Sequence, residues 1–220
     1  MKRLIWMVLL QSALVAPAVA ERLDFGPDLS RSGWVVVSFA KIPPASFMAI
    51  DRGTLDVSTA SSAGLLWRTV DGALREARLA SWRWMVTEGV SPTDLTKRGA
   101  DDRALGVYFV FGAPADSTKS PLALLGSSSV TALVYVLGGD KPRGWVLPSP
   151  HMGARGRFIV LRPADTQRNA WFRESVDLAK DYTRAFGSQP PLLIAVAISS
   201  DSDDTGGRNR AKLRDLTINK

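Results

Sequence analysis

Residues 79–111 read LASWRWMVTEGVSPTDLTKRGADDRALGVYFVF, and they decide how the rest of the chain is arranged. Residues 79–86 alternate as a strand does. Ala80, Trp82, Trp84 and Val86 share one face, and Ser81 and Arg83 share the other. A charged, turn-rich loop follows over 87–103. Residues 104–111 form a second strand, with Leu105, Val107, Phe109 and Phe111 on an apolar face and Gly106 and Tyr108 opposite. Paired as neighbours, the two strands would contribute to one core and turn Arg83 and Tyr108 away from it together. The acid pair Asp101-Asp102 stands at the entry to the second strand.

Working outward, strands are predicted over 34–39, 46–51, 54–58, 64–69, 131–137, 157–162, 192–198 and 211–218, from β-branched or alternating runs. Arg52-Gly53 supplies a hairpin turn, and Gly138-Gly139 stops the strand TALVYVL. Residues 70–76 have weak helical character. Residues 112–120 and 127–129 read as loops, and 141–156, around Trp145, as an extended surface excursion. One amphipathic helix is predicted over 171–186, where Phe172, Val176, Leu178, Ala179, Tyr182 and Phe186 recur at threes and fours. Gly187 ends it, with Pro190-Pro191 beyond. About ten strands with a single helix in the C-terminal half imply an all-β, antiparallel sandwich.

The first twenty residues read as a secretory signal. Lys2 and Arg3 precede an apolar run, and Ala18-Val19-Ala20 forms a small-residue cleavage site before Glu21. Taking those twenty residues from 220 leaves 200, enough for one sandwich domain over 21–220. The expectation is a periplasmic or secreted protein with no stable membrane span after cleavage; the run is short for an uncleaved anchor. The chain has no cysteine, which excludes disulfides, thiol catalysis and a lipid-modified cysteine. The net charge of +7 includes Lys2 and Arg3, so cleavage leaves +5. The basic residues are scattered, and export argues against a nucleic-acid partner.

The ordered set Trp82-Arg83-Trp84, GADDR at 99–103, 107–111, Tyr135-Val136, Asp181-Tyr182, Phe186-Gly187 and DSDDT at 201–205 resembles a bacterial family called domain of unknown function 3047. The resemblance spans most of the chain after the signal. It implies a secreted jelly roll of the galactose-binding-like kind, without an established activity. The chain departs from the family's pattern twice. Gly106 stands where relatives tend to carry arginine, and Leu137 where they tend to carry tryptophan.

Asp201, Asp203 and Thr205, followed by Gly206, have the alternate spacing of calcium oxygen ligands. Lys212 stands where an EF-hand would place glutamate, so the loop is not of that type. The same acids can cap a turn or pair with Arg208 and Arg210. Asp101 and Asp102 are adjacent, so on a strand they face opposite ways. One is expected to pair with Arg83 or Arg103 and the other to be solvated, rather than the two acting as an acid–base couple. Trp82 and Trp84 suit the core better than a sugar platform; Trp145 is the better candidate for exposed stacking. His151 is the only histidine, which excludes multi-histidine metal sites. No G-x-S-x-G or phosphate-loop motif is present.

The candidate ligand surface is Arg83 and Tyr108, with Asp101, Asp102, Asp201, Asp203, Asp204 and Thr205 at its edge. The expected function is non-catalytic binding of a glycan or other envelope ligand, with no cofactor unless the acidic loop takes calcium. Two alternatives remain open: a carboxylate-dependent polysaccharide hydrolase or lyase, and a structural partner of another envelope protein. Nothing in the sequence fixes the oligomeric state.

Overall fold

The computed structural model describes residues 20–220. The predicted secretory signal falls on 1–19 and Ala20, and so lies almost wholly outside the described residues.

The strands are β1 (Ala20–Arg22), β2 (Trp34–Val37), β3 (Ser46–Ala49), β4 (Thr54–Ala60), β5 (Ala63–Thr69), β6 (Leu79–Glu88), β7 (Arg103–Gly112), β8 (Thr131–Leu137), β9 (Val146–Ser149), β10 (Gly153–Arg162), β11 (Phe172–Asp177), β12 (Leu192–Asp201) and β13 (Arg208–Asn219). The helices are α1 (Pro121–Gly126) and α2 (Leu178–Phe186). One sheet runs β11-β6-β13-β4-β3, with β1 also on β13. The other runs β2-β5-β12-β7-β8-β10-β9. The two stack as a mainly β, jelly-roll-like sandwich.

The paired reading of residues 79–111 needs one correction. β6 and β7 lie in different sheets and face each other across the core. Their apolar faces do build one core, but by stacking. Trp82 lies 6.1 Å from Phe109 and 5.6 Å from Tyr135 of β8, ring centre to ring centre. Trp82 and Trp84 are both fully buried, as their alternation required. The Trp84 indole N–H donates to Glu174 at 3.2 Å. Glu174, itself buried, also accepts from Arg162 at 2.7 Å and Arg143 at 3.0 Å, so its charge is paired from two sides.

Three other expectations are amended. The helix predicted over 171–186 begins only at Leu178. Residues before it form β11, in which Glu174 and Val176 point inward and Arg173, Ser175 and Asp177 outward. Phe172 and Val176 are four apart, a spacing that fits a strand as well as a helix. Asp177 starts the helix by accepting from the Lys180 N–H at 2.9 Å, and Gly187 ends it in the left-handed region at φ +75°. The sandwich is antiparallel except for β8 and β10, which pair in parallel. The excursion over 141–156 contains β9 and the start of β10.

β7 is buried along its whole length because both of its faces are covered. Its inner face meets the core. Its outer face carries Tyr108 and Val110 into a second apolar layer that includes Leu147 of β9 and Leu95, Leu124 and Met152 from the connecting segments. Residues of those connections, among them Leu122, Leu125 and Met152, line a cleft. Among the described residues no helix is long and apolar enough to cross a membrane.

The face assignments predict unequal costs. Trp84→Ala removes a buried ring and is expected to cost about 3–5 kcal/mol. Arg83 is half-exposed, 3.8 Å from Asp215. Arg83→Ala should cost about 1 kcal/mol or less. Urea melts of both variants measure the difference; equal losses would contradict it.

Candidate functional site

The site forms where β7 begins and β12 ends. These strands are antiparallel neighbours with Asp201 opposite Arg103 and Ser199 opposite Gly106. The loops carrying Asp101-Asp102 and 202–205 are therefore delivered to the same end of the second sheet.

Arg103 is the centre. Its guanidinium is almost fully buried and lies 5.0 Å over the Phe158 ring. Nη1 meets Asp201 Oδ2 at 3.0 Å, Asp101 Oδ2 at 3.3 Å and the Asp101 carbonyl at 2.9 Å. Nη2 donates to the Tyr108 hydroxyl at 3.0 Å and, more weakly, to Ser199 Oγ at 3.4 Å. The Arg103 backbone N–H donates to Asp201 Oδ1 at 2.9 Å, so one residue holds both carboxylate oxygens. Asn209 locks the junction from behind by donating to the carbonyls of Arg103 at 3.2 Å and Asp201 at 2.7 Å.

Two glycines make room for this side chain. A Cβ on Gly106 would sit 2.7 Å from Ser199 Oγ and 3.3 Å from Arg103 Nε. A Cβ on Gly138 would sit 2.8 Å from Arg103 Cβ, and its φ of +144° already favours glycine. Gly106, one of the two departures from the family's pattern, is thus required by the packing of Arg103.

The acid pair is only half as expected. Asp101 does pair with Arg103, and both of its carboxylate oxygens lie 3.1 Å from His151 Nε2. Asp102 is not solvated. It is buried and accepts from the Thr205 N–H at 2.8 Å, the Thr205 hydroxyl at 2.6 Å and the Asp204 N–H at 3.3 Å. In return Asp204 accepts from the Asp101 N–H at 3.4 Å. The two acidic segments are laced together.

The arginine that meets the 201–205 loop is Arg103, not Arg208 or Arg210; Arg210 lies against Glu88 at 3.6 Å. Of the three calcium candidates, Asp201 is held by Arg103 and Thr205 donates to Asp102, which leaves Asp203. Arg83 lies in the other sheet and is not brought to the site. Trp145 is about half exposed but does not line the cleft. Sequence reasoning missed three members: Arg103 as the hub, Ser199 beneath it, and His151, which arrives from fifty residues beyond Asp101.

The cleft has a volume of about 480 Å³. Asp101, Arg103, Tyr108, His151, Asp201 and Asp203 form its polar side. Phe39, Ile42, Leu65, Leu122, Leu125 and Met152 form its apolar side. Burial pushes the Asp201 carboxyl up to about 7, with Asp101 and Asp102 adding to the rise and Arg103 opposing it. Burial also works to raise Asp101, but His151 and Arg103 outweigh it and hold it below the ordinary carboxylate range. Burial raises Asp203 and Asp204 as well, and neighbouring acids reinforce it. The Arg103 guanidinium stays charged because its carboxylates more than offset burial.

These environments have consequences that can be measured. Arg103→Met leaves Asp101 and Asp201 without their shared cation, and should cost about 3–5 kcal/mol at neutral pH. The loss should shrink as pH falls and the orphaned carboxyls take up protons. Asp201 itself acts with a raised value. It binds its proton more tightly folded than unfolded, so its contribution is complete below 3.8 and is lost as pH rises to about 7. Asp201→Asn should remove that component from urea melts taken across this window. Asp101 acts in the opposite sense, below 3.8, and does not mask it.

Calcium is tested separately. Because Arg103 occupies Asp201, a thermal melt in millimolar calcium should match one in chelator. A rise of several degrees, lost in Asp203→Asn, would make the loop a metal site.

No curated protein matches this chain. Among solved structures, it is similar to the xyloglucanase domain of NopAA, a type three effector from Sinorhizobium fredii, at 10% identity and TM-score 0.45, covering 93% of this chain and 100% of that one. It is also similar to the family 11 carbohydrate-binding module of a cellulosomal cellulase of Clostridium thermocellum, at 9% identity and TM-score 0.43, covering 92% and 95%. A third is a cellulase derived from that of Rhodothermus marinus, at 13% identity and TM-score 0.46, covering 93% and 97%. The model of the family described as "Protein of unknown function (DUF3047)" matches residues 32–217, most of the chain, and the protein belongs to that family.

Proposed function

We propose that the protein is an exported, non-catalytic glycan-binding β-sandwich and that the cleft at Arg103 is its sugar site. The observation that carries this is the mixed lining of the cleft, in which apolar side chains accompany charged and hydroxyl groups. A sugar ring presents apolar C–H faces and a rim of hydroxyls. The aliphatic side, with Leu65 and Leu122, suits the faces, while Asp203, Tyr108 and His151 suit the hydroxyls. The N-terminal segment, with its basic start and Ala18-Val19-Ala20, supports delivery to the periplasm or the exterior.

A carboxylate-dependent hydrolase is the second reading, and one observation favours it. Asp201 and Asp101 sit on the same guanidinium nitrogen, yet one is pushed up to about 7 and the other held low. Two carboxyls driven apart in this way divide into an acid and a base.

Titration calorimetry with a panel of envelope and plant-wall oligosaccharides tests the binding, and reducing-end release on the same ligands tests turnover. Binding without turnover is the expected result. Tyr108→Phe should weaken binding roughly threefold to tenfold, the worth of one hydrogen bond. Leu122→Ser, at an exposed position on the apolar side, should also weaken it. Failure of every oligosaccharide to bind at millimolar concentration would overturn the reading, and turnover would favour the hydrolase.

A further inference from the structure

We propose that the ligand of this cleft carries a free, protonated amine, so that the sugar it takes is an amino sugar rather than a neutral or acidic one. The inference rests on the glycan reading above and specifies the chemistry of the same site.

The cleft is acid-walled in a basic protein. Asp101, Asp201, Asp203 and Asp204 line it against two arginines, Arg98 and Arg103, while the chain as a whole carries +7. The arginines do not neutralise the rim. Arg103 is committed to Asp101 and Asp201. Arg98 donates to the Pro150 carbonyl and keeps its charge, yet the four aspartates still outnumber the two arginines of the lining. His151, protonated or not, is set against Asp101. Asp203 and Asp204 form no ion pair with any of the described residues. Asp203 is half-buried and Asp204 exposed, so both can reach a ligand. A uronate or phosphate would meet a lining in which carboxylates are in excess, whereas an ammonium would relieve their repulsion.

A second observation at the floor points to an oxygen-bearing ligand. Tyr108 and Ser199 are both buried residues, and both line the cleft. Each accepts from Arg103 Nη2, and neither has a carbonyl or carboxylate acceptor among the described residues. Even where one hydroxyl donates to the other, one O–H proton is left over. That proton faces the cleft, where a sugar hydroxyl can supply a lone pair for it. The ligand therefore needs an acceptor for the floor and a cation for the rim. A hexosamine with its amine free offers both on one ring.

The test compares a glucosamine tetramer with its fully N-acetylated form, a neutral glucose tetramer, a galacturonate tetramer and spermidine. Calorimetry is run at low salt and about pH 6, below the ordinary range of an α-amino group. The glucosamine tetramer should bind at least tenfold more tightly than the acetylated form. That advantage should shrink in high salt and vanish in the Asp203→Asn, Asp204→Asn double variant. The melting temperature of that variant shows whether it is folded. If it is not, the singly substituted Asp204→Asn, at an exposed position, should still reduce the advantage. Equal binding of the acetylated or neutral tetramer overturns the amine requirement and leaves the glycan reading standing. Tighter binding of galacturonate overturns it more directly. Spermidine binding as tightly as the glucosamine tetramer would show that charge alone is read, and would overturn the amino-sugar assignment. If none of the five binds, the glycan reading falls and takes this inference with it.

Discussion

A buried arginine is tolerated only where its charge is compensated, and Arg103 shows what that requires: both terminal nitrogens are met, though Nε is buried without a partner among the described residues. The guanidinium sits over Phe158 at the mouth of the second apolar layer, where leaving it unpaired would be prohibitive. Asp101 comes from the residues just before β7, Asp201 from the end of β12, and Tyr108 from β7 itself. Meeting the charge fixes the ends of two central strands and the loops that follow. Asp102 extends the same demand outward by capping the amides of Asp204 and Thr205. Asn209, on β13 of the other sheet, ties the junction to the opposite layer. Gly106 and Gly138 follow from it too, since a side chain at either would displace the arginine or its partners.

Alternation along the chain carried most of the fold. The strand over 131–137 lies where TALVYVL placed it, and the burial of Trp82 and Trp84 follows from their shared parity. Parity could not say which sheet a strand joins. β6 and β7 have the same inward faces whether they are neighbours or lie across a core from one another, because both arrangements bury the same side. That ambiguity misplaced Arg83 and nothing else on the strand. Residues 171–177 failed for a related reason. Phe172 and Val176 are compatible with either period, and the deciding residue is Glu174, which turns inward only because Arg143 and Arg162 meet it there. The parallel pairing of β8 with β10 depends on where the 141–156 excursion re-enters the sheet, and no local pattern encodes that.

The site was legible to the extent that its members sit near strand ends. Asp101, Asp102, Tyr108 and the 201–205 acids were all singled out by residue type and position, and β7–β12 pairing brings them together. His151 belongs to a turn between β9 and β10, and its place beside Asp101 follows from tertiary packing alone. Arg103 was visible in GADDR as one of two partners for the acids. Its role as hub needed the register that puts Asp201 opposite it. The apolar part of the lining was illegible for a different reason. Phe39, Leu65 and Leu122 come from three distant segments, each of which reads locally as ordinary core or loop.

The floor and the rim of the cleft obey different constraints, and this separates stability from recognition. At the floor, Arg103, Asp101 and Asp201 are buried together, and removing the arginine leaves carboxylates in an apolar setting. A substitution there reports on folding before it reports on a ligand. At the rim, Asp203 and Asp204 contribute little to the latch: Asp204 takes one long bond from the Asp101 amide, and Asp203 forms no ion pair with the described residues. Carboxylates that fold does not need, raised by burial and by one another, destabilise the free protein slightly. On the proposed binding role, the rim carries the recognition chemistry and the floor holds the rim in place.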